Sequence, residues 1–118
     1  MLEIKDVYSS DINEVWKWVP RDPEEIYYLL EFNVGYVNDK ASDIFYVFVA
    51  TPEGLRKRKK TSSDWVTNKH LIVRDYSFDL VEAKINEILF KCTGPDWEKS
   101  VQNLLKYFDW EYDGREFV

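Results

Sequence analysis

The first half of the chain contains two stretches whose apolar residues follow the spacing of β-strands. In residues 25–37 every second side chain is apolar, which builds one strand face from Ile26, Tyr28, Leu30, Phe32, Val34 and Tyr36. After a polar segment at residues 38–43, residues 44–51 are apolar on both faces. Two long strands around a short polar turn predict an antiparallel hairpin. The second strand is expected to lie centrally in the sheet, with helices on at least one side.

Shorter apolar stretches predict further strands. Residues 2–7 partly alternate and predict an opening strand. Residues 69–76 predict a third long strand, with one face formed by Leu71 and Val73 and the other by Ile72. Residues 110–112 indicate a short last strand or a tail packed on the body of the domain.

The connections between these strands are marked by proline and by polar residues. Residues 12–19, which include Trp16 and Trp18, predict a short helical turn or an irregular arm. Pro52 favours the start of a short helix that carries Leu55 and the basic run that follows it. Residues 61–64 are expected to form a polar loop.

Two amphipathic helices are predicted in the C-terminal half. The first has an apolar face of helical spacing made of Val81, Ile85, Ile88, Leu89 and Cys92, and the second repeats that spacing with Trp97, Val101, Leu104, Leu105 and Phe108. Asp79 and Glu82 fit a capping box at the start of the first helix. Gly94 and Pro95 are expected to end it.

The resulting order, β-β-β-α-β-α-α with a final short strand, predicts an α+β fold. The expected architecture is an antiparallel or mixed sheet of four to five strands, with two C-terminal amphipathic helices packed on one face. The 118 residues fit one domain, residues 1–118.

Composition narrows the class of protein. No apolar run approaches the length of a membrane span, and the N-terminus lacks the features of a signal peptide. The only cysteine, Cys92, cannot form an internal disulfide, which suits a reducing cytoplasm. The only histidine, His70, cannot build a metal cluster with a single cysteine. We therefore expect a cytoplasmic protein without membrane, metal or cofactor.

Charge is distributed unevenly along the chain. The net charge is −6, with −7 in residues 1–55, +5 in residues 56–60 and −4 in residues 61–118. An acidic protein is repelled by phosphates and is better suited to a basic protein partner. The alternative interpretation is that the acidity only keeps the protein soluble.

The search for catalytic chemistry finds no positive support for an enzyme. His70 has no nucleophile motif beside it, and Cys92 lies on the apolar face of a helix, so structural roles are expected for both. The basic run at residues 56–60 favours a solvated helix end, or one paired with the chain's own acids. The alternative reading is a nucleic-acid-binding or regulatory module that uses this run.

Four stretches, taken together in order and spacing, resemble the immunity protein 8 family of bacterial polymorphic toxin systems. They are Pro23-Glu24-Glu25; Ala50-Thr51-Pro52 with Leu55; His70-Leu71-Ile72-Val73 with Tyr76; and Cys92-x-Gly94 with Trp97-Glu98, ending in Trp110-Glu111-Tyr112. The resemblance covers nearly the whole chain. The basic run and the arm with Trp16 and Trp18 are not parts of that family pattern.

The resemblance implies an immunity protein that binds the C-terminal domain of a polymorphic or contact-delivered toxin and protects the producing cell. It implies no catalytic residues and does not identify the toxin. We expect the active site of the toxin to be occluded by an acidic surface with apolar anchors. Candidate residues for this surface are Asp11, Glu14, Trp16, Trp18, Asp22, Glu24, Glu25, Asp109, Glu111, Asp113 and Glu116. The sequence permits either a monomer or a homodimer.

Overall fold

The computed structural model describes residues 1–59 and 69–113. The elements in chain order are β1 (Leu2–Tyr8), β2 (Tyr27–Tyr36), β3 (Asp43–Ala50), α1 (Pro52–Lys59), β4 (His70–Ile72), α2 (Phe78–Cys92), α3 (Trp97–Leu104) and β5 (Asp109–Trp110). This order confirms the predicted α+β class with two C-terminal helices. The polar loop predicted at residues 61–64 lies outside the described residues, as do Lys60, Trp65 and Glu116.

The strands form one mixed sheet in the order β1-β2-β3-β4. β1, β2 and β3 are antiparallel neighbours, and β4 runs parallel to the end of β3. β5 pairs antiparallel with the start of β3, along the same edge that β4 occupies further on. The prediction that β3 lies centrally is therefore confirmed, because it has partners on both sides.

The β2–β3 hairpin supplies most of the core. Leu30 pairs with Val47 and Phe32 pairs with Phe45, and all four side chains are buried on the face that α2 and α3 cover. Phe32 also meets Phe108 edge to face, with ring centroids 4.9 Å apart. Because side chains alternate along a strand, the residues between these positions lie on the opposite face, which we call the second face of the sheet.

Both C-terminal helices bury the apolar faces that their spacing predicts, but α3 ends at Leu104, so Leu105 and Phe108 of the predicted face lie beyond it. Val81, Ile85 and Leu89 of α2 are almost fully buried, as are Val101 and Leu104 of α3. The sheet and these helices therefore enclose one apolar core between them.

The start of α2 differs from the prediction. The N-cap is Ser77, whose hydroxyl accepts a hydrogen bond from the Leu80 N–H, so the capping box placed at Asp79 and Glu82 is wrong. Asp79 lies instead in the first turn of the helix, where an acidic side chain still interacts favourably with the helix dipole.

β4 is shorter than the predicted strand at residues 69–76. Pairing ends after Ile72 because the chain bends and carries Tyr76 into the core, where its hydroxyl is 2.8 Å from that of Tyr28. The predicted faces are nevertheless correct. Val73 is buried and Leu71 packs against the core, whereas Ile72 is 42% exposed.

Candidate functional site

A row of alternating phenol and carboxylate side chains crosses the second face of the sheet. Tyr8 of β1 is opposite Glu31 of β2, Glu31 is opposite Tyr46 of β3, and Tyr46 is opposite Asp109 of β5. All four residues are half-buried. Neighbouring strands are about 4.8 Å apart, so the row spans roughly 14 Å. We call these four residues the acidic row.

A β-bulge places Tyr8 in this row. The pairing of β1 with β2 shifts by one residue between Ile4 and Asp6. In a regular strand Tyr8 would point to the same face as Leu2 and Ile4, which pack with the core. The extra residue at the bulge reverses that alternation and turns the Tyr8 phenol toward Glu31.

Burial and neighbouring negative charges destabilise the ionised forms of the side chains in the row. Burial raises the pKa of Glu31, and the nearby carboxylate of Asp11 raises it further. Burial likewise raises the pKa of Asp109, although Lys69 opposes the effect. The pKa of Tyr8 is raised by burial first and then by Glu31. The row therefore holds its negative charge at a cost that an added cation would reduce.

One oxygen of the row also lacks a hydrogen bond. The Asp109 Oδ2 atom is buried and has no hydrogen-bond partner in the part of the chain that the structure describes. A buried acceptor without a partner costs about 1–3 kcal/mol. The Asp109 carboxylate is therefore less stable in this position than it would be in water.

Several predicted site residues surround the row. Asp11 lies just beyond the end of β1, where its Oδ2 accepts a hydrogen bond from the Leu29 N–H at 2.9 Å. Glu111 is held at the start of β3, because its Oε2 accepts from the Ile44 N–H at 2.7 Å. Asp113 follows in an exposed turn and contributes to the raised pKa of Asp109. The structure thus brings Asp11, Asp109, Glu111 and Asp113 to one region.

The two tryptophans predicted as anchors, Trp16 and Trp18, lie in different environments. Trp18 is half-buried and packs edge to face on Tyr28 and Tyr76, with centroids 5.9 and 5.6 Å away. Trp16 is 49% exposed. It lines a groove of about 570 Å³ between the outer edge of β1 and α2, together with Asp6, Val7, Phe78 and Glu82. We call this space the Trp16 groove.

The Trp16 groove adjoins the acidic row at β1. Asp6 lines the groove and also raises the pKa of Tyr8, so its charge is felt at the row. Glu14 is exposed in the turn before Trp16 and has a positive φ of 49°. The exposed indole of Trp16 therefore lies close to the carboxylates of Asp6 and Glu82.

The other predicted acids form a separate group beside α1. Asp22 Oδ1 accepts from the Glu24 N–H at 3.0 Å and holds this loop in shape. Glu25 pairs with Lys57 of α1 at 2.6 Å. The Glu24 carbonyl accepts a 2.6 Å hydrogen bond from the buried Thr51 hydroxyl. These contacts connect the loop to the start of α1.

The basic run is partly neutralised by the chain's own acids. Arg56 pairs with Glu53, and Lys57 pairs with Glu25. The Arg58 guanidinium lies over the Tyr27 ring, 5.3 Å from its centroid. Pairing with the chain's own acids was one of the outcomes expected from the sequence, and it lowers the charge available to a phosphate backbone.

The structure also places the two residues with reactive side chains. The His70 Nε2 atom is 3.0 Å from the Tyr27 hydroxyl, and the imidazole stacks on Phe48. Cys92 is buried in the core, and burial raises the pKa of its thiol. Within residues 1–59 and 69–113, no group of three or more potential ligands is arranged to hold a metal ion.

The structure is thus a small α+β domain with an acidic row on one face of its sheet and the exposed Trp16 in the adjoining groove. The family profile of Immunity protein 8 matches residues 2–114, so the chain belongs to the immunity protein 8 family. Membership makes it an immunity protein of a toxin–immunity system and implies a toxin protein as its partner. No curated protein and no solved structure matches the chain. No helix among the described residues is long and apolar enough to cross a membrane.

Proposed function

We propose that this immunity protein neutralises its cognate toxin by covering a basic surface of the toxin's C-terminal domain with the acidic row and the Trp16 groove. The complex forms in the cytoplasm of the producing cell and blocks the active site without chemistry. The acidic row is the observation that carries this proposal, since it gathers partly buried negative charge on one sheet face.

Charge complementarity supports a cationic partner. Glu31 and Asp109 lie in surroundings that raise their pKa values, so a positive charge brought near them stabilises their ionised forms. An arginine or lysine of the toxin placed over the row offsets the negative charge of Asp11 near Glu31 and that of Asp113 near Asp109. The flanking carboxylates of Asp11, Glu111 and Asp113 extend the negative electrostatic potential beyond the row. This potential speeds association with a basic surface.

Trp16 supplies the apolar part of the interface. About half of its surface is exposed in the free protein, at 49%. Large aromatic side chains with one free face are typical anchors of protein–protein interfaces, particularly where polar residues surround them. Asp6 and Glu82 line the same groove beside the Lys5–Glu3 ion pair, so the net charge of the ionisable groups around this anchor is negative.

The reading as a nucleic-acid-binding module has less support. It depends on residues 56–60, of which Arg56 and Lys57 already have carboxylate partners. The net charge of −6 further opposes contact with phosphates. We retain toxin binding as the single proposed function.

The proposal is tested with the toxin domain encoded beside this gene. Co-expression scores rescue of growth, and the purified pair gives affinity and association rate. The double variant Glu31→Gln/Asp109→Asn is expected to weaken the complex by at least about tenfold and to flatten the salt dependence of association. The isosteric amides remove charge with little change in shape, so the fold is kept.

A matched control removes the same charge elsewhere. Glu24→Gln/Glu25→Gln also loses two carboxylates, but in the loop beside α1. If the row forms the interface, this control binds nearly as tightly as the unchanged protein. Equal losses in both variants would show that only net charge matters, and full binding by the row variant would refute the proposed surface.

A further inference from the structure

A small pocket lies where the β2–β3 turn meets the start of α3. Its volume is about 250 Å³, and the residues that line it include the aromatic Tyr36 and Trp97 and the acidic Asp39 and Asp43. Sites for free small molecules usually measure about 300–1,000 Å³. A pocket of this size therefore fits one side chain better than a whole cofactor.

The aromatic walls are held in place before any ligand arrives. The Tyr36 and Trp97 rings meet edge to face, with centroids 5.8 Å apart and planes at 70°. The Tyr36 hydroxyl is 3.0 Å from that of the buried Ser100, which fixes the ring against α3. Asp96 caps the helix by accepting from the Lys99 N–H, so the backbone that carries Trp97 is also fixed.

A hydrogen bond orients each of the two carboxylates. Asp39 Oδ1 accepts from the Ala41 N–H at 3.0 Å, and Asp43 Oδ2 accepts from the indole N–H of Trp110 at 3.1 Å. A carboxylate has about four acceptor positions. Each carboxylate therefore keeps further acceptor positions after these bonds are made.

A glycine in β2, Gly35, allows the β2–β3 turn to approach the strand closely. A Cβ atom at Gly35 would lie 2.1 Å from the Ala41 carbonyl oxygen, so only glycine allows this approach. Asn38 completes the turn with a positive φ of 71°, a conformation that asparagine tolerates. The turn that carries Asp39 is thereby held near Trp97 rather than free to open.

Flat π-rings and carboxylates together favour a planar cation. Arginine stacks its guanidinium on aromatic faces and donates in its own plane to carboxylates, whereas the lysine ammonium is a strongly hydrated point charge. We propose that this pocket receives the guanidinium of an arginine side chain of the toxin, as a contact point separate from the acidic row. The toxin as the source of that arginine rests on the proposed function above.

The pocket and the row are physically distinct. Asp43 and Tyr46 are three residues apart on β3, so their side chains point to opposite faces of the sheet. Trp110 connects the two regions, since it donates to Asp43 while its neighbour Asp109 belongs to the row. A toxin that reaches both therefore passes over the edge at which β5 lies.

The pocket is tested first with a small probe. The ¹⁵N-labelled protein is titrated with N-acetyl-argininamide, and N-acetyl-citrullinamide serves as the neutral control of the same shape. Saturable shifts of the Trp97 indole and of the turn amides, seen with the arginine compound alone, support the proposal. Equal shifts with citrulline, no saturation, or stronger binding of N-acetyl-lysinamide would overturn it.

The variant Asp39→Asn/Asp43→Asn removes the negative charge of the pocket without removing the hydrogen bonds that hold the turn. Each amide oxygen can still accept the Ala41 or Trp110 hydrogen bond, so the turn is kept. The variant is expected to lose the argininamide shifts and to bind the toxin at least about tenfold more weakly, with the steep salt dependence retained.

The two proposals fail in different ways. Unchanged toxin affinity in the Asp39→Asn/Asp43→Asn variant overturns the pocket as a toxin contact and leaves the acidic row untouched. If the unchanged protein forms no toxin complex but still saturates with argininamide, the proposed function is refuted, while the guanidinium specificity of the pocket is supported.

Discussion

Replacing Trp16 with alanine tests whether the exposed indole anchors the toxin. Trp16 leaves 49% of its surface exposed in the free protein. A buried aromatic side chain accounts for about 150–250 Å², so roughly 100 Å² remains to be covered in the complex. At about 25 cal/mol per Å², that area contributes roughly 2.5 kcal/mol to binding. We therefore expect the Trp16→Ala variant to bind the toxin domain about 60-fold more weakly.

The assay must separate binding from folding. The other half of the indole packs in the free protein, so its removal also lowers the free energy of unfolding, by up to a similar amount. A domain of ordinary stability, about 5–15 kcal/mol, stays folded after that loss. Titration calorimetry with the toxin domain measures the affinity, and urea denaturation of the free variant gives its folded fraction.

An exposed aromatic residue outside the groove provides the control. Tyr107 is 38% exposed and lies just after α3, where its ring contacts the Lys91 ammonium. The Tyr107→Ala variant is expected to keep its affinity within about twofold. A folded Trp16→Ala variant with the affinity of the unchanged protein would refute Trp16 as an anchor. Equal losses in both variants would indicate a general effect of destabilisation.

Three further predictions concern the free protein. Burial raises the pKa of Glu31 above its ordinary value of 4.5, so its ionisation destabilises the folded state as pH rises through this range. Glu31→Gln is therefore expected to raise the free energy of unfolding near neutral pH and to leave it unchanged below the ordinary pKa, as measured by urea denaturation at both. Thr51→Val removes the buried hydroxyl that accepts from the Ile26 and Gly54 N–H groups, and it is expected to cost about 3 kcal/mol in the same assay. No measurable loss would contradict this account of the loop. The Cys92 thiol, which is buried and has a raised pKa, is expected to react with an aromatic disulfide reagent only after denaturant is added; fast labelling of the native protein would contradict its place in the core.

Much of the fold could be predicted because local patterns agree with the tertiary structure. Alternation in β2 and apolar faces in β3 identify the hairpin, and helical spacing identifies α2 and α3. The errors occur where several local structures are compatible with the sequence and a long-range contact determines which one forms. Both Ser77 and Asp79 are suitable N-caps by residue type. The hydrogen bond between Tyr76 and Tyr28 ends β4 early, just before Ser77 caps the helix.

The acidic row could be predicted only in part. Charge alone indicates Asp109 and its flanking residues Asp11, Glu111 and Asp113, but no local pattern marks Tyr8 or Tyr46 as their neighbours. Those neighbours depend on the pairing of four strands, and that pairing includes the bulge between Ile4 and Asp6. Because one inserted residue reverses which face a side chain occupies, period-2 patterns alone place Tyr8 on the wrong face. For Glu31, the sequence offers one signal of a functional position, namely a lone glutamate inside an otherwise apolar strand.

The acidic row carries a cost in the free protein that its proposed role explains. Glu31 and Asp109 lose hydration where they lie, and among the described residues one Asp109 oxygen has no hydrogen-bond partner. Neutral or apolar residues at these positions would stabilise the fold, as they often do where function keeps a strained group. In the proposed complex, a toxin cation would add positive charge to that of Lys69. The same substitution, Glu31→Gln, is thus expected to stabilise the free protein and weaken its complex, a pair of opposite effects that a purely structural role for Glu31 does not produce.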